Sequence, residues 1–322
     1  MYVDLPEEQL RTHRSSSVAP ADFDAFWQEE LSRSRAAAAA VEVREEDCGL
    51  TAIRVLDVTF SGWNGQPIKA WLRLPAAATG PLPAVVEYVG YGGGRGAPTE
   101  NLLWAAAGFA HLHMDTRGQG SGWSRGATPD DFGSAGPAIP GSMTRGIRDP
   151  RTYYYTRLFT DAVLAVDAAR SLEQVDGDRV GVTGISQGGG TALAAAALAD
   201  GVRGVVARVP FLADFPRAIT ITDSDPFAEI RRYLAMHRDD AETVLRTLSY
   251  IDGVHFAERG RVPALLTTAL MDPIVPPSTV FAAYNAYAGS EKELVVHRFN
   301  GHEGGGPDDD AAALAFFRRL LM

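Results

Sequence analysis

One cysteine, Cys48, occurs in 322 residues. An internal disulfide is therefore excluded, as is a zinc centre built on cysteine pairs, and the composition suits a reducing compartment. Long apolar runs are missing too. The alanine stretches at 36–40 and 194–197 fall far short of the ~20 residues that span a bilayer. The opening MYVDLPEEQL has neither the basic nor the apolar region of a secretory signal. Cations are outnumbered, 30 Lys and Arg against 40 Asp and Glu, for a net charge of −10. That balance argues against a uniform basic surface for nucleic acid and disfavours adsorption to anionic membrane. Together these absences predict a soluble, cytoplasmic protein with neither nucleic-acid nor membrane partners.

What is present is material for a core. Hydrophobic residues make up 46% and charged residues 22%, ordinary for one large α/β domain spanning residues 1–322. Residues 1–40 read as a helical extension. Asp22 is placed to cap a helix whose Phe23, Phe26, Trp27 and Leu31 share a face, packing on the body of the protein or on another subunit. Two strand-like runs, Ala52 to Phe60 and Ile68 to Leu74, flank Asn64-Gly65, a strong hairpin signal.

The pattern then switches to alternating strand and helix. Strands are expected at Pro83–Val89, Phe109–Asp115, Arg179–Thr183, Val202–Val209, Val262–Ala269 and Glu293–Arg298. Helices are expected at Asn101–Ala107, Tyr153–Leu172, Ser278–Ala288 and Asp310–Leu321. Residues 121–150, rich in Gly, Pro, Ser and Asp, read as a long loop. From about 210 to 260 the alternation lapses into a helical insertion, a natural lid or pocket wall. Repeated β-α units with apolar strands imply a mainly parallel sheet flanked by helices.

The chemistry concentrates at Gly184-Ile185-Ser186-Gln187-Gly188, between a β-type run and an alanine-rich helix. Strand, sharp turn with serine at its apex, then helix is the context of a nucleophile elbow, as in the α/β-hydrolases. A serine hydroxyl needs a base, and the base needs an acid that fixes its tautomer. In that fold the chain order is Ser, acid, His. Four histidines follow Ser186: His237 among charges in the insertion, His255 in a loop-rich segment, His297 within a strand, and His302. His302 lies in a glycine loop just past the last strand, where a base can hang over the serine. Asp272 follows the apolar strand PALLTTAL by one residue, and ligands in such sheets sit beyond the strands' carboxyl ends. Turn aspartate and surface histidine are the alternative readings of these two. For a developing oxyanion, the backbone N–H groups of Gln187 and Tyr91 stand in the right places.

Other features compete for attention. Gly92 to Ala97 satisfies a dinucleotide fingerprint, with Asp115 at a strand end, but Pro98 interrupts the expected helix and antiparallel strands precede it. Arg117 either binds a substrate carboxylate or pins the loop 121–150, the second being the better use of a guanidinium. Asp308 to Asp310 mark a helix N-terminus rather than a metal cluster.

At this point the chain resembles a known family, the acetyl xylan esterase and cephalosporin C deacetylase group of carbohydrate esterases. The likeness runs through DLPEEQL, APADFDAFW, Gly90-Tyr91, RGQGSGW, DPRTYYY, SQGGG, VPFL, TLSY, PPSTVFAAYN and Gly301-His302-Glu303. It implies an α/β-hydrolase fold with Ser186 as nucleophile, His302 as base, Asp272 as its orienting acid, and Tyr91 and Gln187 as oxyanion donors. It also implies removal of acetyl groups from acetylated xylo-oligosaccharides and cephalosporin C, no metal or other cofactor, and a homohexamer in the cytoplasm. A small acyl pocket walled by Tyr91, Pro210 and Phe211 is expected. Ile185 departs from the glycine usual in the family; its side chain is expected to pack behind the turn. Two other readings stand beside this one: a broader carboxylesterase or a prolyl-peptidase-like amidase, and a hydrolase-fold binding protein whose triad no longer works.

Overall fold

The computed structural model describes residues 2–133 and 135–322. A short helix α1 (Glu7–Leu10) and an amphipathic helix α2 (Phe23–Ala36) come first. The apolar face of α2 is buried on the body of the protein, and Trp27 Nε1 donates to the Tyr250 carbonyl at 2.9 Å. Asp22 makes no cap hydrogen bond; its carboxylate instead accepts from the Tyr250 hydroxyl at 2.7 Å.

Strands β1 (Glu42–Glu46), β2 (Ile53–Ser61) and β3 (Pro67–Pro75) form an antiparallel edge. The β2–β3 connection turns through Asn64 and Gly65, at φ of 53° and 77°, as the Asn-Gly signal requires. β1 has no counterpart in the sequence reading. Its five residues, EVREE, are all exposed, so it carries charge where a strand signal would need apolar alternation.

Next come β4 (Leu82–Tyr88), α3 (Leu103–Ala106), β5 (Ala110–Met114), α4 (Tyr154–Ser171), β6 (Val175–Ile185), α5 (Gln187–Leu198) and β7 (Val202–Arg208). The segment before the next strand holds α6 (Phe215–Ile221), α7 (Phe227–Met236), α8 (Ala241–Ser249) and α9 (Gly253–Ala257). Strand β8 (Ala264–Ala269), α10 (Pro277–Ala286), β9 (Lys292–His297) and α11 (Pro307–Leu321) complete the order. The helical insertion read over about 210–260 is thus several helices, with α7 and α8 separated by a short 3-10 turn at Arg238–Asp240.

All these strands join one sheet in the order β1-β2-β3-β5-β4-β6-β7-β8-β9. β5 pairs antiparallel with β3 and parallel with β4, and every pairing from there to β9 is parallel. Central strands are apolar on both faces because both are covered. Ala84, Val86, Val205 and Ala207 face a core shared with α4, α5, α9 and α10. Val85 and Val206 face Trp104, Phe109, Phe316 and Phe317 from the side of α3 and α11. The architecture is the mainly parallel, helix-flanked sheet that the sequence implies. Parallel strands send their carboxyl ends to one rim, and the segments holding Tyr91, Ser186, Asp272 and His302 leave that rim. Among the described residues, no helix is long and apolar enough to cross a membrane.

Candidate active site

At the end of β6 the backbone turns so sharply that Ser186 sits at φ 57° and ψ −118°, a conformation that strains any residue with a Cβ. The flanking glycines permit it. A Cβ on Gly188 would lie 2.0 Å from the Tyr88 carbonyl oxygen, and one on Gly184 would lie 2.3 Å from the Gly188 backbone. The turn is pinned to neighbouring chain, with Ser186 N donating to Arg208 O at 2.9 Å and Phe211 N donating to Ser186 O at 3.0 Å. Strain here is held by packing, and it stands the hydroxyl clear of the sheet.

His302 Nε2 lies 3.0 Å from Ser186 Oγ, and its Nδ1 lies 2.8 Å from Asp272 Oδ2. Asp272 is fully buried, and its other oxygen accepts from the amides of Ile274 and Val275, each at 2.9 Å. That carboxylate cannot swing away. Glu303 accepts from Gly301 N at 3.1 Å, which shapes the loop carrying His302. Serine, imidazole and carboxylate are therefore in line, each held by groups outside the line.

Tyr91 N and Gln187 N have no hydrogen-bond acceptor among the described residues. Gln187 is the first residue of α5, whose opening amides point out with the positive end of the helix dipole. The Tyr91 phenol is anchored from two sides. Its hydroxyl donates to Glu229 Oε1 at 2.6 Å and accepts from Ser142 N at 2.7 Å. Glu229, buried on α7, also accepts from Met143 N at 3.1 Å, and burial raises its pKa above the ordinary carboxylate range. Burial likewise raises the Tyr91 phenol, so this is a hydrogen-bonding tyrosine and not an acid near neutrality.

A cavity of about 360 Å³ opens over Ser186 and His302, lined also by Gly90, Tyr91, Trp123, Ile185, Asp225, Pro226 and Ile274. Its size is that of a small-molecule pocket. Pro210 and Phe211, expected as acyl-pocket walls, are not among the lining residues. Both are buried behind the serine, where Phe211 meets Phe227 edge to face at 4.4 Å between ring centroids. Adjacency to the strand end misled, because the chain turns inward after β7. Ile185 corrects a second expectation: it is 40% exposed and lines the cavity rather than packing behind the turn.

The insertion is divided in its duties. Asp225 and Pro226 reach the cavity, whereas Val254 and Phe256 of α9 lie in the helical core on the sheet face. Arg117 is fully buried in a two-point ion pair with Asp161 of α4, at 2.5 and 2.7 Å, with Asp130 at 3.4 Å. It clamps the loop to α4 and faces no substrate. Asp115, the would-be ribose ligand, is used up on the amides of Arg95, Thr116 and Ala127. Asp309 pairs with His297 at 2.7 Å, and Asp310 pairs with Arg208. His255, placed in a loop by its neighbours in sequence, lies in α9 and is buried. Sequence reasoning missed Trp123, Glu229 and Gln119 as parts of the site. RGQGSGW marked the segment without assigning its side chains.

Comparison with known proteins points to one family. A family model described as acetyl xylan esterase (AXE1) matches residues 1–320. An acetyl xylan esterase from Paenibacillus sp. R4 superposes with a TM-score of 0.93 at 39% identity, over 98% of this chain and 100% of that one. Acetyl Xylan Esterase 1 from Thermoanaerobacterium sp. JW/SL YS485 gives 0.90 at 34% identity, over 99% and 100%. Acetyl esterase Axe7A of Xylanibacter ruminicola is 28% identical over 282 residues, 86% of this chain and 62% of that protein. The chain thus spans less than two thirds of the length of that curated relative. Its fold is that of the α/β-hydrolases.

Proposed function

The chain belongs to the acetyl xylan esterase family, and from that premise we propose that it removes acetyl groups from small acetylated carbohydrates through an acyl-enzyme. Ser186 Oγ attacks the acetyl carbonyl carbon while His302 Nε2 takes its proton. The carbonyl electron pair moves onto oxygen, opposite the N–H groups of Tyr91 and Gln187. Collapse expels the sugar oxygen, which recovers the proton from His302, and Asp272 holds the imidazole throughout. Water repeats the attack on the acetyl-serine and acetate leaves.

The observation that carries this reading is the Ser186–His302–Asp272 line, at 3.0 and 2.8 Å, on a strained elbow at the floor of a cavity. The cavity's size and its apolar walls, Ile185, Pro226 and Ile274 beside two aromatic rings, favour small esters over polymer chains. Cephalosporin C as a second acetyl ester, a homohexameric assembly and a cytoplasmic location enter the reading from the family resemblance. That residues 1–322 act as one unit enters it from length and composition.

Initial rates on p-nitrophenyl esters of increasing acyl length test it, with Ser186→Ala as the blank. A steep fall beyond acetyl, absent in the blank, is expected, followed by acetate release from acetylated xylo-oligosaccharides. A flat or rising acyl profile means a broad carboxylesterase and removes the deacetylase assignment. No rate above the blank means a binding protein.

A further inference from the structure

We propose that Gln119 is a positioning residue that sets both halves of the oxyanion hole from a single side chain. The inference rests on the acyl-transfer reading above. Its starting point is the peptide between Tyr91 and Gly92. That unit is planar, so fixing its two polar ends fixes its rotation. The Tyr91 carbonyl accepts from Trp123 Nε1 at 2.8 Å, and Gly92 N donates to Gln119 Oε1 at 2.6 Å. The oxyanion donor, Tyr91 N, sits on the next peptide back and takes its direction from this one.

The amide end of Gln119 serves the other donor. Gln119 Nε2 donates to Gln187 Oε1 at 2.9 Å and to the Tyr154 hydroxyl at 2.9 Å. Gln187 is fully buried; its Oε1 also accepts from Tyr155 OH at 3.0 Å, and its Nε2 donates to the Val89 carbonyl at 3.2 Å. The residue whose N–H is the second donor is thereby tied to the loop carrying the first.

The chemistry selects this side chain. One acceptor must meet Gly92 N–H, and two donors must meet Gln187 Oε1 and a Tyr154 hydroxyl already committed to the Arg117 carbonyl at 2.6 Å. A primary amide supplies that set on one flat group, and its orientation follows from the partners. A carboxylate keeps the acceptor and loses both donors.

Gln119→Glu, nearly isosteric, is the primary test, with Gln119→Ala beside it. Kinetics on p-nitrophenyl acetate are compared with inhibition by a trifluoromethyl ketone, whose serine adduct places an oxyanion in the hole. kcat is expected to fall roughly 10- to 100-fold with KM within about threefold, since only transition-state contacts are loosened. The inhibition constant should rise by the same factor, while affinity for acetate holds and Gln119→Glu stays folded at the assay temperature. A merely structural glutamine moves KM and leaves the ketone affinity uncoupled from kcat. That pattern overturns the proposal, as does wild-type kcat in a folded Gln119→Glu. A wild-type enzyme with no esterase rate fails the acyl-transfer reading itself, an outcome distinct from either.

Discussion

Among the described residues, two serine–histidine–acid lines are hydrogen-bonded, and distance alone hardly separates them. Ser186, His302 and Asp272 are joined at 3.0 and 2.8 Å. Ser17, His255 and Glu258 are joined at 2.9 and 3.2 Å, where the N-terminal segment crosses α9. The difference lies in what surrounds them. Ser186 is on a strained elbow with an outward-facing helix N-terminus behind it and a cavity in front. Ser17 is in irregular chain, and its backbone is not left-handed. Asp272 is buried with every oxygen committed, whereas Glu258 is 47% exposed on its side chain. Hydrogen-bonded proximity makes a strap in one place. In the other, a strained backbone, free N–H donors and a void make a reaction site conceivable.

Removing each hydroxyl breaks the comparison most forcefully. Ser186→Ala is expected to lower kcat/KM by roughly 10⁴-fold or more and to abolish labelling by a serine-directed phosphonate. Ser17→Ala is expected to keep wild-type kinetics and full labelling. Phosphonate found on Ser17 by peptide mapping would erase the distinction.

The same contrast shows why part of the site was legible in the sequence. The elbow is a local pattern: two glycines, a serine, an apolar strand before and a helix former after. Asp272 and His302 were readable because each comes a few residues after an apolar strand, and parallel strands deliver their ends to one rim. Pro210 and Phe211 satisfied the same rule and yet turned inward, since the path of the chain beyond a strand end depends on its next packing partner. Glu229, Trp123 and Gln119 reach the site from an insertion and a loop without periodicity, so no local signal places them. β1 was invisible for the opposite reason: an edge strand of EVREE is held by pairing with β2, not by burial.

A pair of imidazoles elsewhere sharpens what a partner does for a histidine. His111 and His113, on β5, are buried and stacked with ring centroids 5.5 Å apart. Glu87 lies 2.9 Å from His111, and Arg73 Nη1 lies 3.4 Å from His113 Nδ1. Burial lowers both imidazoles, His113 to about 3, the nearby Arg73 adding to the effect while Glu87 opposes it. An unfolded imidazole titrates near pH ~6.5. Below that the unfolded chain takes up protons that the folded one refuses, so stability falls as pH falls, down toward the folded value. For His113 alone the loss between about pH 6.5 and 4.5 is on the order of 2 kcal/mol. Urea midpoints across that range should drop steeply, and less steeply in His113→Gln whatever its stability at pH 7. Parallel curves for the two proteins would remove His113 as the cause.

The smallest effect reads the two serines as structural elements, with opposite signs expected. Ser17→Ala takes the partner from a buried His255 Nε2 and should cost about 1 kcal/mol, the ordinary worth of such a bond. Ser186→Gly removes a Cβ from a conformation that costs about 1–3 kcal/mol, against roughly 0.5–1 kcal/mol of added freedom in the unfolded chain. The net should be a small gain in stability in a protein with no activity. Urea unfolding at pH 7.5 measures both. Midpoints that move apart, Ser17→Ala down and Ser186→Gly up, fit a strap and a strained nucleophile. A Ser186→Gly protein less stable than wild type would mean that the elbow is at ease, and that the bond to His302 outweighs whatever the backbone stores.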